Sequence, residues 1–276
     1  MASINTNPGA FIALQTLNST NRELATVQSR INTGLAVASA KDNGAIFAIA
    51  QNQRAEVASL NAVGQSIDRA VSAVDVALAA GEAISDLLIE LKEKALAASD
   101  ASLDTASRDA LKADFDALRN QIDQIAQSAE FNGLNLLNAT TNGVTAITSA
   151  DGKSTITVLD QVLTTTGANI GLTAASSLGL QTQTAAAATV SQLETSIANV
   201  NKALATLGTG AKALEIQNTF NTQLSDALKI GIGNLVDADL ATESARLQAL
   251  QVQQQLGIQA LGIANQAPGA ILALFR

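Results

Sequence analysis

Apolar residues recur at alternating spacings of four and three along one segment of the chain, without a break. Every position of this series is apolar or glycine: Leu60, Val63, Ile67, Ala70, Val74, Ala77, Gly81, Ile84, Leu88, Leu91, Ala95 and Ala98. An average spacing of 3.5 residues keeps such side chains on one side of an α-helix. The segment therefore predicts a long helix that packs along other helices with a left-handed twist.

Other segments repeat this spacing. Two of them are continuous: Leu111, Phe115, Leu118, Ile122, Ile125 and Ala129, and Val190, Leu193, Ile197, Val200, Leu204, Leu207, Ala211 and Leu214. A third has Asn21 and Gln28 at two of its positions, and its apolar members are Ala10, Leu14, Leu17, Leu24, Ile31 and Leu35. The only prolines are Pro8 and Pro268, so the sequence between them permits long uninterrupted helices.

The C-terminal run from Leu240 to Ala264 has a broader apolar stripe. Two neighbouring seams can be drawn through it: Leu247, Leu250, Leu261 and Ala264, and beside them Ala249, Val252, Leu256 and Ile263. Such a stripe suits a helix that several neighbours contact.

The helical period disappears from Phe131 to about Gln181. Asn-Gly or Asp-Gly pairs at 132–133, 142–143 and 151–152 indicate turns, and the alternating Thr-Ile-Thr-Val at 155–158 is typical of a strand. We therefore predict a mainly α protein of long antiparallel helices in a coiled-coil-like bundle, with a small β-hairpin region at about 131–181.

Missing residue types exclude several kinds of chemistry. The chain has no histidine and no cysteine, which excludes Cys/His metal sites, disulfides, a Ser-His-Asp triad and a cysteine nucleophile. Carboxylate sites for Mg²⁺ or Ca²⁺ and two-carboxylate hydrolysis stay open on composition alone. The net charge of −8 argues against nonspecific nucleic-acid binding. Because no Gly-rich phosphate loop or paired-acid motif supports such chemistry, we predict no enzyme activity, no cofactor and no metal.

Both ends of the chain are free of charge: no charged side chain precedes Arg22, and none lies from Leu247 to Phe275. The glutamines and asparagines of the C-terminal run oppose a transmembrane helix, and residues 1–8 lack the basic segment and apolar core of a secretory signal. Burial against other copies of the chain is the favoured interpretation, since charge is costly in a desolvated interface. Burial within one subunit is the alternative.

Several blocks of the sequence resemble the bacterial flagellin family, in the family's order and spacing. They are Ile-Asn-Thr-Asn at 4–7, Leu-Asn-Ser-Thr-Asn at 17–21, Arg-Ile-Asn-Thr-Gly-Leu at 30–35, Ser-Ala-Lys-Asp-Asn-Gly at 39–44, Glu-Phe-Asn-Gly-Leu-Asn-Leu-Leu at 130–137, Asp-Ala-Asp-Leu-Ala-Thr-Glu at 237–243, Ala-Asn-Gln-Ala-Pro at 264–268 and Ile-Leu-Ala-Leu-Phe-Arg at 271–276. The resemblance covers both ends and nearly all of the helical part. It implies a short flagellin of the alphaproteobacterial type, without variable outer domains.

The resemblance also implies a division into two domains. The N- and C-termini pair as helices in a core domain, assigned to 1–40 and 238–276, which forms the inner tube of a filament. Residues 41–237 form an outer helical domain that includes the hairpin region.

The function implied by the resemblance is that of a structural subunit, which polymerises into the filament of the bacterial flagellum for swimming motility. The implied protein is extracellular, is exported by the flagellar type III route and forms a homo-polymer. Further implied partners are the hook–filament junction proteins, the filament cap protein and a flagellar export chaperone, with no nucleic acid and no membrane insertion. We place the polymerisation interface in this core domain, at Leu14, Leu17, Leu24, Ile31, Leu247, Leu250, Leu256, Leu261, Ile271 and Leu274.

Many flagellins carry a stretch, Leu-Gln-Arg-Val-Arg-Glu-Leu, that vertebrate Toll-like receptors recognise. The aligned residues here are 88–94, and the receptor-equivalent positions are Leu88, Glu90, Lys92 and Glu93. Because Glu90 replaces the first arginine, we expect no such recognition. The same charges suit a solvated, salt-bridged helix face.

Three other functions are considered. A hook–filament junction protein shares the terminal signatures but usually has a longer and more divergent middle. An amphipathic lipid-binding protein would carry basic faces with Trp or Phe, which an aromatic content of 2% opposes. A carboxylate enzyme lacks a supporting motif here. Asp114, Asp116 and Asp123 are expected to face solvent, and Asp237 and Asp239 to cap a helix that begins near Leu240.

Overall fold

The computed structural model describes residues 6–138, 142–172 and 179–273, with side chains described as far as Gln266 in the last range. Its elements in chain order are α1 (Pro8–Thr33), α2 (Gly44–Ala98), α3 (Thr105–Ser128), β1 (Val144–Ile147), β2 (Thr155–Val158), α4 (Gln183–Val236) and α5 (Leu240–Ala273). The mainly α class with a small antiparallel hairpin is confirmed.

Residue contacts divide the chain into two compact units. Unit 1 comprises Met1–Ala55 and Ala227–Arg276, and unit 2 comprises Glu56–Asp226, so the division falls inside α2 and α4. The sequence-based boundaries after residues 40 and 237 describe roles in a filament, and they stay a prediction.

The core of unit 2 is built around the long apolar series of α2, from Leu60 to Ala98. Every position of that series is buried. The helices α3 and α4 contribute buried side chains at the same spacing, among them Phe115, Ile122, Leu193, Val200, Leu207 and Leu214. Each fully buried Leu, Ile or Phe contributes about 1.5–3 kcal/mol relative to exposure, so this seam is the main source of stability in the unit.

The hairpin adds one of its faces to this core. Strands β1 and β2 are antiparallel, with Val144 opposite Val158, and both valines are buried. On the other face the hydroxyls of Thr145 and Thr157 lie 3.0 Å apart. The strand expected at 155–158 is β2.

The buried side chain of Asn135 supplies hydrogen-bond donors to the C-terminal end of α3. The preceding residues Asn132 and Gly133 have φ of 51° and 81°, a left-handed conformation that Asn and Gly tolerate. Asn135 Nδ2 then donates to the carbonyl oxygens of Ala126 and Gln127 at 2.8 and 3.2 Å. These carbonyls belong to the last turn, where a helix cannot supply its own donors.

Asp123 contradicts the expectation that it faces solvent. Its carboxylate accepts from the Thr165 backbone N–H at 2.8 Å and from the Thr165 hydroxyl at 2.7 Å. The segment that follows the hairpin returns to α3 at this point. Local sequence does not reveal such a tertiary contact, which is why the expectation is wrong.

In unit 1 the end of α1 is tied to the segment before α5. Gly34 ends α1 with φ of 72°, and its N–H donates to the Arg30 carbonyl at 2.8 Å. Ala36 N–H then donates to the Val236 carbonyl at 2.7 Å, and Ala238 N–H to the Gly34 carbonyl at 2.9 Å. These bonds bring the start of α5 beside the end of α1.

Candidate assembly interface

The helices α1 and α5 pair in antiparallel directions in unit 1. Near the start of α5, Glu243 Oε1 lies 2.9 Å from Nη1 of Arg30, which is in the last turn of α1. At the other end, Asn7 Nδ2 donates to the Ala264 carbonyl at 2.6 Å. These two contacts define the direction and the register of the pair.

One stripe of α5 is covered, and it follows a strict alternation of four and three residues. Between Leu240 and Gln266, the side chains or glycines that are not exposed are Glu243, Leu247, Leu250, Gln254, Gly257, Leu261 and Ala264. The first seam expected from the sequence is therefore present. It continues through Glu243, Gln254 and Gly257. The apolar pattern missed these three residues, although their spacing alone could have identified them.

The covered stripe of α1 differs in part from the expected one. Its members are Ala10, Ala13, Leu17, Thr20, Leu24, Val27 and Ile31. The series drawn from the sequence through Leu14, Asn21 and Gln28 is wrong for this pair, because all three are exposed. The small side chains of Ala13 and Thr20 let α1 approach α5 more closely than leucine would.

At Gly257, in the middle of the pair, the backbone of α5 lies close to α1. A Cβ atom built on Gly257 would lie 3.3 Å from Cδ1 and 3.8 Å from Cβ of Leu17. The glycine therefore forms the hole that receives the Leu17 side chain, as in knobs-into-holes packing.

Polar contacts cross the same seam. Gln254 Nε2 donates to Asn21 Oδ1 at 2.7 Å. The Glu243 side chain is only 11% exposed, and Arg30 is its sole ion-pair partner among the described residues. Because its Oε2 is buried without a partner there, Glu243 depends on this one arginine.

Of the two aspartates expected to cap the helix that begins near Leu240, Asp239 caps α5, whereas the backbone of Asp237 forms an isolated β-bridge with Leu35. The Asp239 carboxylate accepts from the Thr242 hydroxyl at 2.7 Å and from the N–H groups of Ala241 and Thr242 at 3.0 and 3.3 Å. These hydrogen bonds, first the one from the Thr242 hydroxyl, hold the pKa of Asp239 below its ordinary value. The folded helix therefore favours the charged form of the Asp239 carboxyl group.

The ten positions expected in the polymerisation interface fall into different environments. Leu250 is buried within the subunit, and five others are half-buried: Leu17, Leu24, Ile31, Leu247 and Leu261. Leu14 and Leu256 are exposed. The side chains of Ile271 and Leu274 lie outside the described residues. Their roles in assembly stay predictions.

A second stripe of α5 is exposed along its whole described length. We call Ala249, Val252, Leu256 and Ile263 the α5 apolar stripe; Leu256 is 57% and Ile263 70% exposed. These residues form the neighbouring seam drawn from the sequence. On α1, Phe11 and Ile12 are also exposed, so the α1–α5 pair leaves much apolar surface in contact with water.

The receptor-equivalent stretch lies on α2 in unit 2. Leu88 is buried in the core, whereas Glu90 and Glu93 are exposed. Lys92 Nζ pairs with Glu194 of α4 at 2.9 Å, and Lys94 Nζ with Asp114 of α3 at 3.2 Å. The stretch is thus a salt-bridged helix face whose ion pairs join neighbouring helices.

Two kinds of feature are absent from the part of the chain that the structure describes. No group of three or more acidic side chains there could hold a metal ion. No helix there combines the length and the apolar character needed to cross a membrane.

Comparisons with protein families match most of the chain. Residues 4–142 match the model of the bacterial flagellin N-terminal helical region, and residues 190–275 match that of the bacterial flagellin C-terminal helical region. The matched ranges contain α1, α2 and α3 at one end, and nearly all of α4 with α5 at the other.

Individual relatives have nearly the same length. Flagellin FljM of Caulobacter vibrioides is 54% identical over 274 residues, which are 99% of this chain and 98% of that protein. A flagellin of Brucella melitensis is 35% identical over the whole of both chains. The crystal structure of Bacillus cereus flagellin shares the fold with a TM-score of 0.50 at 22% identity, over 56% of this chain and 88% of that one.

Proposed function

We propose an assembly mechanism for this chain, which belongs to the bacterial flagellin family and is a structural subunit of the flagellar filament. The α1–α5 pair is the polymerisation element, and neighbouring copies of the chain cover the α5 apolar stripe. The observation that carries this proposal is the exposure of that stripe on a run, 247–275, that has no charged side chain.

Leaving the α5 apolar stripe in water is unfavourable. Exposed leucine and isoleucine side chains gain about 25 cal/mol for each Å² that another subunit covers. The lack of charge means that covering the stripe leaves no charged group unpaired. If the stripe meets a different surface of the next copy, the contact is heterologous, and its repetition gives an open helix.

The ten interface positions divide into two roles in this mechanism. The buried and half-buried members, such as Leu17 and Leu250, hold α1 and α5 together within the subunit. The exposed Leu14 and Leu256 contact neighbouring copies, and Ile271 and Leu274, whose side chains lie outside the described residues, keep the assembly role predicted from the sequence. Residues 1–40 and 238–276 form the inner tube, and 41–237 face outwards.

The hook–filament junction protein is the less favoured alternative. Relatives that match this chain almost from end to end, at nearly equal length, are flagellins. We retain the junction protein, the filament cap and a flagellar export chaperone as proposed partners. The exposed stripe needs a cover before polymerisation, and a chaperone with an apolar groove supplies one during type III export.

Seeded elongation tests the proposed interface. Filaments are depolymerised by heat, short seeds are added, and filament length is followed by electron microscopy. Leu256→Asn should strongly reduce elongation, because the amide replaces apolar contact with a neighbouring copy. Leu159→Asn is the matched control, since Leu159 is as exposed, at 61%, but follows β2 in unit 2. Equal loss in both variants would contradict the assignment of the interface to α5.

A truncation tests the polymerisation element as a whole. Removal of residues 247–276 should abolish elongation, while the cooperative unfolding of unit 2 is preserved in circular dichroism. Normal growth of the truncated chain would rule out the mechanism.

A further inference from the structure

We propose that Asn7 sets the register of the α1–α5 pair by supplying the hydrogen-bond donor that Pro268 denies to the Ala264 carbonyl. The inference rests on the proposed role of this pair in assembly. It adds a positioning residue to that role and joins two sequence blocks, 4–7 and 264–268, that lie at opposite ends of the chain.

One helical hydrogen bond is missing inside α5 because of Pro268. In an α-helix the carbonyl of residue 264 accepts from the N–H of residue 268. Pro268 lies inside α5 and has no N–H, and a proline in a helix also crowds the carbonyl four residues before it. The half-buried Ala264 therefore carries an acceptor without its helical donor, which is unfavourable unless another group donates.

Asn7 provides that donor from α1. Its Nδ2 lies 2.6 Å from the Ala264 oxygen, while its Oδ1 accepts from the Ala10 N–H at 3.2 Å and caps α1. The two bonds determine the orientation of the amide, because turning it over would place oxygen against oxygen and nitrogen against nitrogen. Aspartate could keep the cap but has no donor, and the serine side chain is shorter.

Because the Ala264 carbonyl occurs at one place in α5, its hydrogen bond with Asn7 fixes the register of the α1–α5 pair. Pro268 is the only proline in α5, so Ala264 has the only carbonyl in the helix interior that loses its donor to a proline. The two backbones are also close here, since a Cβ atom built on Gly9 would lie 3.8 Å from Cβ of Ala264. A shift of one helical turn, about 5.4 Å, would remove Asn7 from the one carbonyl that needs it.

A double-mutant cycle measures the coupling between Asn7 and Pro268. Asn7→Ser is made in the wild-type chain and in the Pro268→Ala chain, which regains an N–H at 268. The readout is the concentration of free subunits in equilibrium with seeded filaments. With Pro268 present, Asn7→Ser should raise it about fivefold, which corresponds to a net hydrogen bond of about 1 kcal/mol. In the Pro268→Ala chain the rise should be less than about twofold, because the helix satisfies its own carbonyl.

Asn43→Ser is the matched control. Asn43 caps α2 by accepting from the N–H groups of Ala45 and Ile46, both at 3.2 Å, and within the described residues it has no bond to another helix. Serine and asparagine are similar caps, so this change should leave the free concentration within about twofold. Equal effects of Asn7→Ser and Asn43→Ser would overturn the inference, as would equal effects of Asn7→Ser with and without Pro268.

Asn7→Asp keeps the test decisive if Pro268→Ala chains do not polymerise. A role limited to capping predicts an unchanged or lower free concentration, because aspartate is a good cap and complements the helix dipole. The inference predicts a higher concentration of free subunits. In this variant the negative carboxylate faces the Ala264 carbonyl oxygen, which has no hydrogen-bond donor. If wild-type subunits fail to elongate seeds, the assembly mechanism fails; if they elongate and Asn7→Asp behaves like wild type, only the role of Asn7 fails.

Discussion

Gly210 of α4 lies directly against Val158 of β2, where a Cβ atom on the glycine would be 2.8 Å from both methyl carbons of the valine. Val158 is buried and branched at Cβ, so its χ1 is restricted and it cannot turn both methyls away. The absence of a side chain at 210 is therefore what allows the hairpin to pack on α4.

Gly210→Ala should destabilise unit 2. Because the added Cβ atom would lie 2.8 Å from both methyl carbons of Val158, we expect an overpacking cost in the upper part of about 1–3 kcal/mol. This outweighs the gain of about 1 kcal/mol from the higher helix propensity of alanine. Gly208→Ala is the control on the same helix, since a Cβ atom there meets nothing within 4 Å, and it should stabilise by about 1 kcal/mol. Urea unfolding of the monomer measures both, and equal stabilisation by the two changes would refute the packing argument.

Arg30→Met should weaken the α1–α5 pair, because it leaves the carboxylate of Glu243 largely buried without its counter-charge. We expect a loss of about 2 kcal/mol, below the range for fully buried pairs because the arginine is partly exposed. The melting temperature of filaments reports the loss. The double change to methionine at 30 and 243 should recover most of it, since no buried charge is left.

Arg246→Met is the control for this ion pair. Arg246 lies 3.8 Å from Glu23, and both side chains are about half exposed, so the change should cost less than about 1 kcal/mol. Similar losses for Arg30→Met and Arg246→Met would show that burial of Glu243 is not the cause.

Asp239→Asn should make filaments less sensitive to acid. The folded pKa of Asp239 is lowered from 3.8, so its carboxylate contributes stability above pH 3.8 and this is lost as pH falls through the lower folded value. Asparagine also caps a helix but does not titrate. Melting temperatures on either side of pH 3.8 should differ less in the variant. An unchanged difference would exclude Asp239 as a source of the pH dependence; the other carboxyls with lowered pKa are Asp42, Asp100, Asp104 and Asp151.

The protein should not activate a vertebrate Toll-like receptor reporter line at concentrations where a recognised flagellin does. Glu90 presents an exposed negative charge where the recognised stretch has an arginine, and Leu88 is buried and out of reach of a partner. Glu90→Arg should increase the signal. A wild-type response equal to that of the recognised flagellin would contradict this expectation.

The sequence by itself determined the apolar faces of α2, α3 and α4 and the strand β2, which build the core of unit 2. The series from Leu60 to Ala98 predicts a buried helix face, and the alternation at 155–158 predicts β2, because both patterns are consequences of local backbone geometry. The charge-free ends and the quoted blocks likewise sufficed for the family. These properties depend on residues that are close together in the sequence, and not on distant parts of the chain.

Only the tertiary structure decided which residues face each other across helices. The four-and-three pattern of α1 fits Leu14 as well as Ala13, and only the packing of α5 against α1 places Ala13 in the covered stripe and leaves Leu14 exposed. The bonds from Thr165 to Asp123 and from Asn7 to Ala264 join residues 42 and 257 positions apart. The apolar spacing within one segment cannot identify such pairs. The packing of whole helices, and not the neighbours in sequence, selects the partner of a side chain.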